Sequence, residues 1–91
     1  MVIRKFLKIY GDVQGVGFRY RAQYAAQMIG ATGWVRNEWD GSVEMEIQGT
    51  EEQIDQVIRT VNQGMYVDIR SMEAKQIPLV EGERGFKTYL Y

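Results

Sequence analysis

A glycine-rich stretch, Gly11-Asp12-Val13-Gln14-Gly15-Val16-Gly17, runs directly into Phe18-Arg19 and a segment with helical spacing. The first N–H groups of a helix lack partners inside it and carry partial positive charge, and glycine lets backbone approach a ligand closely. A cation on the first turn is disfavoured by the helix dipole by about 0.3–1 kcal/mol. Arg19 there makes sense if an anion sits between its guanidinium and the amides. Spacing alone leaves open a simpler reading, a crossover turn followed by a solvated Arg. Asn37 is the second candidate, able either to orient a small molecule or merely to cap the turn that follows it. Such a set suits anion binding and orientation. The chain has no His and no Cys, which removes imidazole bases, thiolate nucleophiles, disulfides and Cys/His zinc sites.

The hydrophobic pattern predicts the elements that position these groups. Val2 to Tyr10 mixes β-branched and aromatic residues, with Ile3, Leu7 and Ile9 on one parity and Lys8 on the other, as in a strand with one buried face. Gly11 to Gly17 reads as a loop. Phe18, Ala22, Ala25, Ala26 and Ile29 recur at helical spacing, and Gly30 suits a left-handed helix end. Thr32 to Asn37 and Ser42 to Gln48 read as strands joined by Glu38-Trp39-Asp40-Gly41, whose Asp-Gly pair is typical of a tight hairpin. Thr50 with Gln53 fits a capping box, followed by the stripe Ile54, Val57, Ile58 and Val61, with Gly64 ending the helix. Met65, Val67 and Ile69 alternate as a strand, whereas Met72 and Ala74 fall on the opposite parity, so a bulge is expected near Arg70. Pro78 to Gly85 reads as a loop and Phe86 to Tyr91 as a final short strand.

Two helices with one apolar stripe each and a sheet with one apolar face predict an α+β, ferredoxin-like two-layer sandwich. Its antiparallel sheet of four or five strands carries both helices on one face, in the order βαββαβ plus a short terminal strand. The 91 residues read as a single domain, 1–91. A right-handed crossover makes the first two strands parallel, so their carboxyl ends meet at one edge of the sheet. With the third strand between them, Gly11–Gly17 and Asn37 lie two strand spacings, about 10 Å, apart. Asn37 shares parity with Val35, which puts it on the helix-covered side. Eleven basic residues against twelve acidic give a net charge of −1, which argues against nucleic acid or membrane as the main partner. With no long apolar run and no signal peptide, the chain reads as soluble and cytoplasmic.

Ile9 to Arg19, Ile9-Tyr10-Gly11-Asp12-Val13-Gln14-Gly15-Val16-Gly17-Phe18-Arg19, closely resembles the first signature of acylphosphatases. Gly33-Trp34-Val35-Arg36-Asn37, followed by Gly41-Ser42-Val43 and Gly49, resembles the second at the family's spacing. The resemblance implies metal-free hydrolysis of the carboxyl–phosphate bond of acyl phosphates to a carboxylate and inorganic phosphate. It also implies that Arg19 binds the phosphoryl group, that Asn37 positions the attacking water, and that the backbone of Gln14, Gly15, Val16, Gly17 and Phe18 cradles the phosphate. No cofactor and no metal are expected, inorganic phosphate or sulfate should occupy the same cradle, and the chain is expected to act as a monomer. The alternative is a non-catalytic phosphate- or carbamoyl-phosphate-binding module, since related sequences open a larger carbamoyl-transferring maturation protein.

Other groups carry less. Asp12 and Asp40 are conceivable metal ligands, yet each sits in a turn where Asp is favoured anyway. Glu44 and Glu46 read as a solvated strand face, and Arg36, of opposite parity to Asn37, as a surface charge. Phe6, Trp34 and Tyr89 share the sheet's open face like the aromatics of RNA-binding modules, but no accompanying Lys/Arg-Gly-Phe-Gly-Phe-type motif supports that role.

Overall fold

Alternation and helical spacing translate directly into core positions in the computed structural model, which describes residues 1–89. Strand β1 (Val2–Asp12) buries Leu7 and Ile9, helix α1 (Phe18–Ile29) buries Phe18, Ala22, Ala25 and Ala26, and β2 (Thr32–Asn37) buries Val35. Strand β3 (Val43–Thr50) sets fully buried Val43, Met45 and Ile47 against half-buried Glu44, Glu46 and Gln48. Helix α2 (Glu51–Asn62) adds Ile54, Val57 and Val61, and β4 (Asp68–Ile77) and β5 (Phe86–Tyr89) complete the sheet. The strand order is β4-β1-β3-β2-β5. Both β1 and β2 pair antiparallel with β3 between them, so they run parallel to each other and end at one edge. With α1 and α2 packed together on the core side, this is the expected ferredoxin-like α+β sandwich.

The two helix starts differ in a way that matters for the site. At α2, Thr50 and Gln53 form the expected capping box: Gln53 N–H donates to Thr50 Oγ1 at 3.1 Å and Thr50 N–H to Gln53 Oε1 at 2.8 Å. Glu51 and Glu52 in its first turn complement the helix dipole. At α1 the N-cap is Gly17, with φ 81°, no side-chain cap and no acidic residue in the first turn. Gly30 closes α1 in the left-handed conformation, φ 95°, as the pattern predicts.

Three boundaries depart from the pattern. The sheet is mixed at one edge, because β5 pairs parallel with β2 whereas an antiparallel sheet is expected throughout. The cause is the 78–85 connection, which crosses the open face from one edge strand to the other. It is held there by Arg4, only 2% exposed, whose Nε donates to Glu46 at 2.8 Å and Nη1 to Glu83 at 2.7 Å. Burial opposes the charge on Arg4, but its bonds to Glu83 and Glu46 outweigh that and keep its pKa above the ordinary value. Next, β4 begins at Asp68 rather than Met65. The Val67 N–H donates to Gly64 O at 3.1 Å, which closes a turn and leaves Met65 and Tyr66 exposed. Finally, β1 continues past Tyr10 to Asp12, and of the expected last strand residues 90–91 lie outside the described residues.

The bulge expected near Arg70 is present. Tyr10 faces Ser71 and Gly11 faces Ile69, so Arg70 is the extra residue. Opposite it, Gly11 has φ 135°, and a Cβ there would lie 2.1 Å from the Asp68 carbonyl oxygen. Gly11→Ala is therefore expected to destabilise the fold by about 2 kcal/mol or more, through backbone strain added to overpacking. Thermal melts followed by circular dichroism should show a Tm drop of about 8 °C or more.

Candidate functional site

The β1–α1 loop is pinned from below and from the side. Val13 is buried in the core and Val16 packs against it. The Gln14 side chain reaches across to the β2–β3 hairpin, its Nε2 donating to the carbonyls of Glu38 at 2.6 Å and Ser42 at 2.8 Å. These two anchors leave Gly15 and Gly17, at φ 71° and 81°, to turn the chain into α1. The result is a helix N-terminus without a protein cap, held in place on a fixed loop, which is the form in which backbone amides best receive an anion.

Arg19 is on the first turn of α1, and its Nη1 donates to the carbonyl oxygen of Tyr89 at 3.1 Å. One guanidinium nitrogen is thus tethered to the end of β5, orienting the rest of the fork. One cleft of about 340 Å³ is lined by Val13, Gly15, Gly17, Phe18, Arg19 and Asn37, with Tyr20, Gln23 and Thr88 completing its wall. Arg19 and Asn37, far apart in sequence, therefore share a cavity, as the topology predicts. Gln14 lies behind the cleft as a brace, and Val16 faces the core. The sequence reading missed Tyr20, Gln23 and Thr88. Gln23 was accessible, being four residues beyond Arg19 on the same helical face. Thr88 was not, because its position depends on the parallel β2–β5 pairing.

Asn37 ends β2 opposite Val43. Its Oδ1 is buried with no hydrogen-bond partner, alone in this respect among the described residues. An unpaired buried acceptor costs about 1–3 kcal/mol, so this oxygen is suited to accept from a water or a ligand atom in the cleft. The turn beyond it is closed by other groups. Asp40 Oδ1 accepts from Ser42 N–H at 2.9 Å and from Ser42 Oγ at 2.6 Å. Those two bonds, chiefly the hydroxyl, together with Lys8, hold the Asp40 carboxyl down to about 2, so it is ionised throughout the neutral range. Asp40, rather than Asn37, caps the hairpin.

The remaining candidates resolve as structural. Asp12 pairs with Arg70 at 2.8 Å and Asp40 with Lys8 at 3.3 Å, on different elements. Among the described residues no three Asp or Glu side chains are placed to hold a metal ion together. Arg36 bonds Glu38 and Glu44 on the open face and lies 5.0 Å from the Trp34 ring, a surface network as its parity predicts. Trp34 packs against Tyr89, with ring centroids 6.1 Å apart. No helix among the described residues is long and apolar enough to cross a membrane.

Fold and cleft together define a ferredoxin-like protein with a candidate anion site at its first strand–helix junction. Comparison with known proteins gives that class its family. The acylphosphatase family model matches residues 5–88. The chain is 39% identical over 88 residues to an acylphosphatase of Clostridium acetobutylicum, covering 96% of this chain and 97% of that one. It superposes on the crystal structure of an acylphosphatase from Bacillus subtilis with a TM-score of 0.85 at 30% identity, covering 98% and 99% of the two chains. Full-length HypF, solved in a phosphate- and nucleotide-bound form, matches with a TM-score of 0.80 at 25% identity, over 98% of this chain but 12% of HypF. The chain belongs to the acylphosphatase family, and its reaction is the acylphosphatase-type hydrolysis of acyl phosphates.

Proposed function

We propose that Arg19 and the N–H groups of residues 14–18 bind the phosphoryl group of an acyl phosphate while Asn37 positions the water that attacks it. The observation that carries this reading is the meeting of an uncapped helix N-terminus, a tethered guanidinium and an unpaired buried amide oxygen around one cleft. The Asn37 Oδ1 accepts a hydrogen bond from the water, which leaves the water's oxygen lone pair directed at phosphorus, and both protons of the water end on the phosphate product.

The chemistry needs little more. The leaving group is a carboxylate, whose conjugate acid has a pKa of about 4, so it departs without a general acid. Phosphoryl transfer proceeds through a loose transition state in most analyses, so little bonding to water precedes departure and a strong base is dispensable. Orientation by Asn37 and electrostatic stabilisation of the equatorial oxygens by Arg19 and fixed amides then supply the rate. The Gln14 brace and buried Val13 fix those amides before substrate arrives. The same set is poorly matched to a simple phosphomonoester, whose alkoxide leaving group calls for an acid or a metal. We read the chain as a cytoplasmic monomer that needs no metal, supported by a cleft complete within one chain and by the absence of cysteine.

Phosphate release from benzoyl phosphate is the direct test. Turnover is expected to persist after extended treatment with a metal chelator, and inorganic phosphate or sulfate should inhibit competitively. Loss of activity on chelation, restored by a divalent ion, would overturn the metal-free reading. Saturable phosphate binding without turnover would favour instead a non-catalytic phosphate- or carbamoyl-phosphate-binding module; the likeness to one segment of HypF, solved with phosphate bound, is in keeping with phosphate binding.

A further inference from the structure

The phosphate cleft does not end at Arg19. A second groove of about 310 Å³ adjoins it, lined by Gly17, Tyr20, Arg21, Tyr24 and Thr60. Gly17 and Tyr20 line both cavities, so the two adjoin at the start of α1. Tyr20 and Tyr24, one helical turn apart, stand 71% and 57% exposed with their rings stacked, centroids 6.4 Å apart and planes at 23°. Neither ring serves the core. Across the groove Thr60 contributes little polarity, because its hydroxyl already donates to Gln56 O at 2.8 Å within α2. The Arg21 side chain lies over Gly64 just past the end of α2, where a Cβ would fall 2.7 Å from its Nε. A cation is favoured at that helix end, which gives Arg21 a structural reason to be there.

We propose that this groove is the subsite for the acyl group, and that Tyr20 and Tyr24 select acyl phosphates carrying an aromatic acyl group. The inference rests on the assignment of the phosphoryl site to Arg19 and the 14–18 backbone, and on one geometric requirement. Attacking and leaving oxygens lie roughly in line through phosphorus. With the water on Asn37, the acyl oxygen must depart on the side away from Asn37. The groove is compatible with that requirement: it adjoins the cleft at Gly17 and Tyr20, and Asn37 lines the cleft but not the groove. Its size is at the lower end of small-molecule sites, about 300–1,000 Å³, and paired ring faces are suited to stacking a planar group.

The test compares kcat/KM for benzoyl phosphate and acetyl phosphate in the unmodified protein and in Tyr20→Ala, Tyr24→Ala and Tyr24→Phe, with the inhibition constant of inorganic phosphate read alongside. Intrinsic reactivities of the two substrates cancel when the benzoyl-to-acetyl ratio is compared between variants. Both alanine variants are expected to lower that ratio by about fivefold or more, and Tyr24→Phe to keep it, since the ring rather than the hydroxyl makes the contact. An unchanged ratio in both alanine variants would overturn the subsite while leaving the phosphoryl assignment intact. A ratio that falls only in step with weakened phosphate inhibition would also overturn it, because the tyrosines would then be shaping the cradle. If the unmodified protein turned over neither substrate, the phosphoryl assignment itself would fail and the subsite with it.

Discussion

Replacing Arg19 by lysine is expected to lower kcat/KM for an acyl phosphate by about 10²-fold or more, and replacing it by alanine by about 10³-fold or more. An ammonium carries the charge but not the planar fork that contacts two phosphoryl oxygens at once. Its three N–H groups also radiate from a single nitrogen, so bonding the Tyr89 carbonyl, as Nη1 does at 3.1 Å, leaves no second nitrogen held in a fixed plane toward the anion. The loss should appear in binding as well as turnover, because the proposed guanidinium contact is made to the phosphoryl group in both the ground state and the transition state. Initial rates and phosphate-binding titrations on both variants measure the two parts. Near-normal activity of Arg19→Lys would remove Arg19 from the site.

Asn37→Ala should separate those two parts. If Asn37 holds only the water, its loss lowers kcat by about 10²-fold or more while the phosphate dissociation constant stays within a few-fold. The variant is expected to fold well, since the unpaired Oδ1 makes no internal hydrogen bond and the hairpin beyond it is closed by Asp40 and Ser42. Equal loss of phosphate affinity in Asn37→Ala and Arg19→Ala would instead make Asn37 a ligand of the anion. Full turnover in Asn37→Ala would leave it without a catalytic role.

The positions of these two residues depend on parts of the chain outside the cleft. The Gln14 side chain ties the cradle to the carbonyls of Glu38 and Ser42, and Asp40 keeps that hairpin closed. The loop bearing the amides and the strand end bearing Asn37 are therefore coupled through one side chain. On the other side, the 78–85 crossing, fastened by Arg4 to Glu83, leads into β5, whose end tethers Arg19. Two long-range braces thus hold the geometry proposed for Arg19 and Asn37.

Much of this was legible in the residues alone. Alternation in Val43, Met45 and Ile47, helical spacing from Phe18 to Ile29, the Thr50–Gln53 box and the parity slip near Arg70 are local signals, and local signals survive folding because each reports which side of an element is buried. The crossover rule then carried Arg19 and Asn37 to one edge of the sheet, since parallel strands joined by a helix must end together. The tertiary structure decided what local periodicity does not encode. Arg4 lies on the polar parity of β1 and reads as solvent-facing, but a loop almost eighty residues away covers it, at a separation of 79 to Glu83. The parallel pairing of β5, the Tyr89 carbonyl on Arg19 and the Gln14 bridge likewise depend on where connections cross. A side chain's long-range partner is set by the packing of whole elements, and no spacing within one element specifies it.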